Sequence, residues 1–185
     1  MLNNELFKYL LLNIHMSRWK APRPISSPYI TPAGYQRLEQ ELKNLWLKRK
    51  NVVVALSAAA AEGDRSENAE YIYRKKELRG IDGRIHFLQK RMPTLNIISA
   101  MPADQEKIFF SAWILLETDK NEEVLYRIVG ADEFEMDKRY ISLDSPLAQA
   151  LLKKTFDDQI LIRNEFQETQ YTVIDIQYGL EFENE

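Results

Sequence analysis

A chain of 185 residues with 45% hydrophobic side chains has room for one domain, or two small ones, around a real apolar core. Its formal net charge of −3 argues against indiscriminate nucleic-acid binding, which needs a strong basic excess. With no cysteine, a disulfide scaffold, a thiolate metal site and a cysteine nucleophile are excluded and a cytosolic chain fits, and no run approaches the roughly 18 apolar residues of a membrane span.

Residues 1–29 read as a flexible leader. Leu6 to Ile14 has the apolar content of a signal-peptide core, but no basic residue precedes it, Lys8 interrupts it and no small-residue cleavage site follows. Ser17 to Pro24 is basic and proline-rich, hence extended.

Residues 30–95 carry helical spacing. Thr31-Pro32 is a clean helix start: threonine is a good N-cap, and proline at the first helical position loses only a donor without a partner. Leu38, Leu42, Leu45, Arg49, Val52, Leu56 and Ala59 follow at steps of four and three, giving one apolar seam over about Pro32 to Ala61. Such a helix is roughly 45 Å long at 1.5 Å per residue. Gly63 can take a left-handed angle and end it. A second seam runs through Tyr71, Leu78, Ile81, Ile85, Leu88 and Met92 until Pro93 stops it. The polar break folds the two seams together as an antiparallel coiled-coil hairpin. The Ala58–Ala61 run keeps its far end slim, and Gly80 and Gly83 read as tolerated helix interruptions costing about 1 kcal/mol each.

Asn96 to Gln105 reads as a linker, after which the period changes. Lys107–Glu117 and Val124–Val129 are rich in β-branched and aromatic residues, with Asp119-Lys120-Asn121 as the turn between them. Ile160–Arg163 and Tyr171–Tyr178 are further strands, and Ser145-Pro146 opens a short helix through Leu152. Residues 105–180 thus form a small α+β unit with a mainly antiparallel sheet.

The candidate chemistry lies at the hairpin's point. Asp64 and Glu67 are hard oxygen donors suited to Mg²⁺, but two carboxylates at a solvated tip make no tight site, so the other ligands must come from a partner. The same pair also fits a capping box that steadies the second helix. The readings differ in geometry: with Asp64 as N-cap its oxygens are taken by backbone donors, and with Ser66 as cap Asp64 stays free. The second is the expectation. The flanks are basic, with Lys48, Arg49 and Lys50 on one arm and Arg74, Lys75, Lys76, Arg79 and Arg84 on the other. They read either as a solvated face or as a phosphate-contacting patch, which the family resemblance given below implies would steer RNA. His15 and His86 share no motif, and no nucleophile triad, phosphate loop or zinc spacing appears.

The run Gly63-Asp64-Arg65-Ser66-Glu67-Asn68-Ala69-Glu70-Tyr71 on such a hairpin resembles the tip of the bacterial Gre transcript cleavage factors, and Arg65 is similar to the GreB branch of that family. Ile30-Thr31-Pro32-Ala33-Gly34-Tyr35, Tyr126-Arg127-Ile128-Val129-Gly130 and Ile141-Ser142-Leu143-Asp144-Ser145-Pro146-Leu147-Ala148 match the same family in order, over about Tyr29 to Tyr178. The resemblance needs only a short leader, which makes Met16 a natural start and residues 1–15 an over-extension. It implies an FKBP-like second domain, without isomerase activity. It further implies a tip that enters the secondary channel of a backtracked RNA polymerase. There Asp64 and Glu67 help retain a second Mg²⁺ shared with the polymerase and activate water to hydrolyse the 3′ end of the nascent RNA. Asp64 is assigned to the metal and Glu67 to the water. Ser66, Asn68 and Tyr71 match as tip support, and Ile141, Asp144, Ser145 and Pro146 match the loop that docks on the polymerase rim.

The expectation is therefore a cytoplasmic, monomeric cleavage-stimulating elongation factor that is not an enzyme alone. The alternative is a non-cleaving regulator that occupies the same channel and inhibits; retention of Asp64 and Glu67 argues against it. A free-standing nuclease ranks lower, for want of ligands and a substrate cleft.

Overall fold

The computed structural model describes residues 26–163, 168–179 and 181–182. The readings made of residues 1–25, Met16 and His15 among them, lie outside these. Two units follow one another: a helical hairpin and a small α+β unit.

The first helix, α1, spans Pro32–Ala61, and the second, α2, spans Ala69–Arg91. Thr31 caps α1 as its residue type suggests, its hydroxyl accepting from Gly34 N–H at 3.0 Å. Leu38, Val52 and Ala59 on α1 face Ile81, Ile85 and Leu88 on α2, all buried. Two clusters result. Ile30, Leu38, Leu88 and Met92 close the root of the hairpin, and Val52, Ile81 and Ile85 close its middle. At about 1.5–3 kcal/mol per buried Leu or Ile, a few side chains hold a long rod. Toward the turn only Ala59 is buried, so the end is narrow. Arg49, at a seam position, turns sideways and donates from Nε to Asp82 Oδ1 across the hairpin at 2.6 Å. Past Arg91 the chain tightens into a 3₁₀ turn, Met92–Thr94, because Pro93 cannot continue the ladder.

The linker expected from Asn96 begins instead as a strand. Asn96–Ile97 (β2) pairs in parallel with Tyr29–Ile30 (β1), tying the chain entering the hairpin to the chain leaving it.

The second unit is a five-stranded sheet of Trp113–Thr118 (β3), Glu123–Val129 (β4), Tyr140–Ser142 (β5), Gln159–Arg163 (β6) and Glu168–Gln177 (β7), in the order β5-β4-β3-β7-β6. Only β4 and β5 run parallel. The turn between β3 and β4 places Asn121 at φ 59°, a left-handed angle asparagine tolerates. The helix Pro146–Leu151 (α3) lays Ala148 and Leu151 against Ile114, Leu116, Ile128, Ile160 and Val173. Residues 107–112, expected as strand, are a crossing segment. Ile108 exchanges backbone hydrogen bonds with Lys153 and Lys154, and Ser111 sits at φ 72°, so the ladder starts only at Trp113.

Candidate functional site: the acidic turn

The turn begins where α1 ends. Glu62 is its last near-helical residue, and Gly63 takes φ 129°, a region that side chains disfavour. Asp64 then folds over its own backbone. Its Oδ1 accepts from Ser66 N–H at 2.8 Å and from Ser66 Oγ–H at 2.7 Å, an Asx-type turn. Both bonds fall on one oxygen, and Oδ2 has no hydrogen-bond partner among the described residues. These bonds, the backbone one first, hold the Asp64 carboxyl below the ordinary carboxylate range and keep it anionic. Glu67 is exposed and makes no hydrogen bond or ion pair among the described residues.

Neither expected cap is used. Asn68 is the N-cap of α2: its Oδ1 accepts from Tyr71 N–H at 3.0 Å. Serine and asparagine cap about equally well, and Ser66 has lost its hydroxyl to Asp64. Asn68 does a second thing that spacing does not reveal. Its Nδ2 donates to Ala59 C=O at 2.9 Å, stitching the first turn of α2 to the last turn of α1. Tyr71 is half-buried, with the Arg65 guanidinium 5.9 Å and the Lys75 ammonium 5.6 Å from its ring centre. The turn is thus internally built, yet three acceptor oxygens on its exposed residues, Asp64 Oδ2 and both of Glu67, have no hydrogen-bond partner among the described residues.

The basic flank divides in two. Lys48 pairs with Glu77 at 3.1 Å, Arg49 with Asp82 at 2.6 Å, and Arg74 with Glu70 at 2.7 Å and Glu77 at 3.1 Å. Arg84 is likewise paired, with Glu41. An RNA phosphate has to compete with those carboxylates. Lys50, Lys75, Lys76 and Arg79 have no ion-pair partner among the described residues. Lys75 and Arg79, four apart on α2, share one face. Lys76 adjoins it, so the unpaired cations gather mainly on α2 near the turn.

The residues expected to dock lie at the opposite end. Ile141 is on β5 and packs on the sheet core, Ser145 caps α3 by accepting from Ala148 N–H at 3.2 Å, and Pro146 begins that helix. Asp144 is exposed, and its Oδ2 accepts from Ser27 N–H at 2.9 Å, which sets this loop beside the hairpin root. Among the described residues no three His, Cys, Asp or Glu side chains converge to hold an ion, and no helix is long and apolar enough to cross a membrane.

A helical hairpin with exposed carboxylates at its turn stands on a small α+β base. The chain belongs to the GreA/GreB family of transcription elongation factors. The family's model for "Transcription elongation factor, N-terminal" matches residues 28–97, and that for "Transcription elongation factor, GreA/GreB, C-term" matches residues 103–178. Within the family the kinship is with GreB. The transcription elongation factor GreB of Pseudomonas aeruginosa is 48% identical over 164 residues, covering 88% of this chain and 98% of its own length. GreB of Haemophilus ducreyi is 55% identical over 138 residues, covering 74% of this chain and 85% of its own. Among solved structures, the transcription factor Gfh1 aligns over 82% of this chain and 99% of its own at 22% identity and a TM-score of 0.40.

Proposed function

We propose that this elongation factor reaches through the secondary channel of RNA polymerase and stimulates Mg²⁺-dependent cleavage of the 3′ end of backtracked RNA, so that arrested complexes resume. One observation carries the reading: at the narrow end of a roughly 45 Å helix, exposed Asp64 is held anionic with both its bonds on Oδ1, and Glu67 is exposed and has no partner among the described residues. Two hard oxygen donors suit Mg²⁺ and cannot complete its shell. The remaining ligands would come from the polymerase active centre and the RNA phosphate.

A second Mg²⁺ held there with the help of Asp64 and Glu67 would supply charge stabilisation to the reacting phosphodiester. This chain's part is to offer Asp64 Oδ2 as a ligand and to let a Glu67 oxygen accept the proton of the attacking water. Ser66 fixes the Asp64 rotamer, and Asn68 keeps the turn from fraying. Lys50, Lys75, Lys76 and Arg79 attract the RNA backbone, with Lys48, Arg49 and Arg74 available once their carboxylate partners are displaced. Ile141, Asp144, Ser145 and Pro146 dock on the channel rim. The factor acts as a cytoplasmic monomer and is no nuclease by itself.

The test is a defined backtracked complex given wild type or Asp64→Asn. Wild type releases 3′ RNA fragments; Asp64→Asn still binds polymerase and releases none. Inhibition without fragment release by wild type would establish the non-cleaving regulator instead.

A further inference from the structure

Glu133 is 1% exposed, a carboxylate buried far from the acidic turn, with no salt bridge to any described residue. It sits in the loop after β4 and reaches into the hairpin root. Its Oε1 accepts from Thr31 N–H at 3.0 Å and from Gly130 N–H at 2.9 Å, and its Oε2 accepts from Thr31 Oγ–H at 2.6 Å. Thr31 is the N-cap of α1, whose first turn has no acidic residue of its own. The positive end of a 30-residue helix therefore receives its balancing anion from the other unit, 102 residues away in sequence. Close packing seals the arrangement. A Cβ on Gly34 would come 1.8 Å from Glu133 Oε2, and one on Gly130 would come 2.1 Å from Tyr29 C=O.

The same loop grips the root on other sides. Arg91, the last residue of α2, pairs with Asp132 at 2.8 Å and donates from Nη2 to Ser27 C=O at 2.6 Å, and Met136 packs on the Ile30–Leu38–Leu88 cluster. These contacts sit partly in solvent or are apolar and non-directional. Glu133 supplies the hydrogen bonds that are fully buried. A buried anion strongly favours the one geometry that satisfies it.

We propose that Glu133 is a positioning residue: by capping α1 from the sheet unit, it fixes the angle at which the hairpin leaves the docking domain and hence where Asp64 and Glu67 arrive. The part concerning arrival rests on the function proposed above; the part concerning the angle does not. Over a lever of roughly 45 Å, a tilt of about 10° at the root moves the tip by about 8 Å. Misplacement of a reacting group by about 1 Å is enough to cost a hundredfold in rate.

The chain has no cysteine, so spin labels can be placed at will. One pair crosses the root, at Ser57→Cys in α1 and Glu122→Cys in the sheet unit. A control pair stays within the hairpin, at Ser57→Cys and Gln89→Cys. In Glu133→Ala the cross-root distance distribution broadens at least twofold while the control pair is unchanged; Glu133→Gln, which keeps the volume and loses the charge, broadens the same pair less. Should Glu133→Ala fail to fold, Glu133→Gln decides alone. An unchanged cross-root width, or equal broadening of both pairs, overturns the proposal. On a backtracked complex, stimulated cleavage falls about tenfold or more in Glu133→Ala. A wild type that stimulates no cleavage defeats the functional reading, and the distance measurement still decides the positioning role.

Discussion

The two ends of the hairpin each bring a carboxylate to the start of a helix and use it in opposite ways. At the root, Glu133 is buried, accepts three hydrogen bonds and is hemmed in by two glycines that leave no room for a methyl group. At the tip, Asp64 accepts two bonds on one oxygen, and among the described residues Glu67 accepts none and a Cβ on Gly63 would meet nothing within 4 Å. The acid that is completed inside the molecule contributes to architecture. The acid left incomplete is available to something else. Burial and acceptor count, rather than residue type, separate the two roles.

The largest effect expected is at the tip. Glu67→Gln lowers stimulated cleavage by about 100-fold or more, the scale of a lost general base, and changes stability in urea by less than about 0.5 kcal/mol. A matched loss of stability would erase the distinction between the ends. The root responds in the other currency: Gly34→Ala forces the added methyl into Glu133 and destabilises the fold by about 1–3 kcal/mol in the same urea titration. Asn68→Ala lies between. It removes a cap and the stitch to Ala59, costs about 1 kcal/mol, and speeds amide hydrogen exchange in the turn while leaving the sheet unit protected. Gly80→Ala runs the other way and stabilises by about 0.5–1 kcal/mol, because nothing among the described residues lies within 4 Å of its added Cβ. Finally, pH probes the tip gently. A carboxyl whose folded pKa is depressed contributes order that is present above the unfolded value and lost as pH falls through the folded one. The Asx turn of Asp64 therefore persists below the ordinary value of 3.8 and melts only in stronger acid, read from the Ser66 amide shift. Asp137, lowered to about 2 by Arg139, makes an internal comparison for the same titration.

Much of the tip could be read directly from the chain, and little of the root could. Thr31, Pro32 and the Ala58-to-Gly63 passage delimit α1 by local chemistry alone, and seam spacing pairs it with α2. Local chemistry was also enough to put Asp64 and Glu67 at a turn, though it favoured the wrong cap, because Ser66 and Asn68 are both good N-caps and only the Asp64–Ser66 bond decides between them. The strands β1, β2 and β5 have two or three residues each, too short for alternation to register. Ile108, Phe109 and Phe110 have strand composition, but tertiary bonds to Lys153 and Lys154 turn that stretch into a crossing. Glu133 is the plainest case. Between Asp132 and Phe134 it looks like a solvated turn acid, and its burial arises from a helix start far away in sequence. The signals available were indirect: glycines at 34 and 130 inside the family-like blocks, and a long helix with no acid in its first turn.

In the function proposed above, this chain lends carboxylates to an ion it cannot hold alone. The direct measurement is RNA cleavage in a backtracked polymerase complex as a function of Mg²⁺ concentration, with no factor, wild type or Asp64→Asn. Wild type should shift half-maximal cleavage to lower Mg²⁺, and Asp64→Asn should return it to the factor-free curve. Three superimposable Mg²⁺ curves, or a shift that survives Asp64→Asn, would contradict the claim.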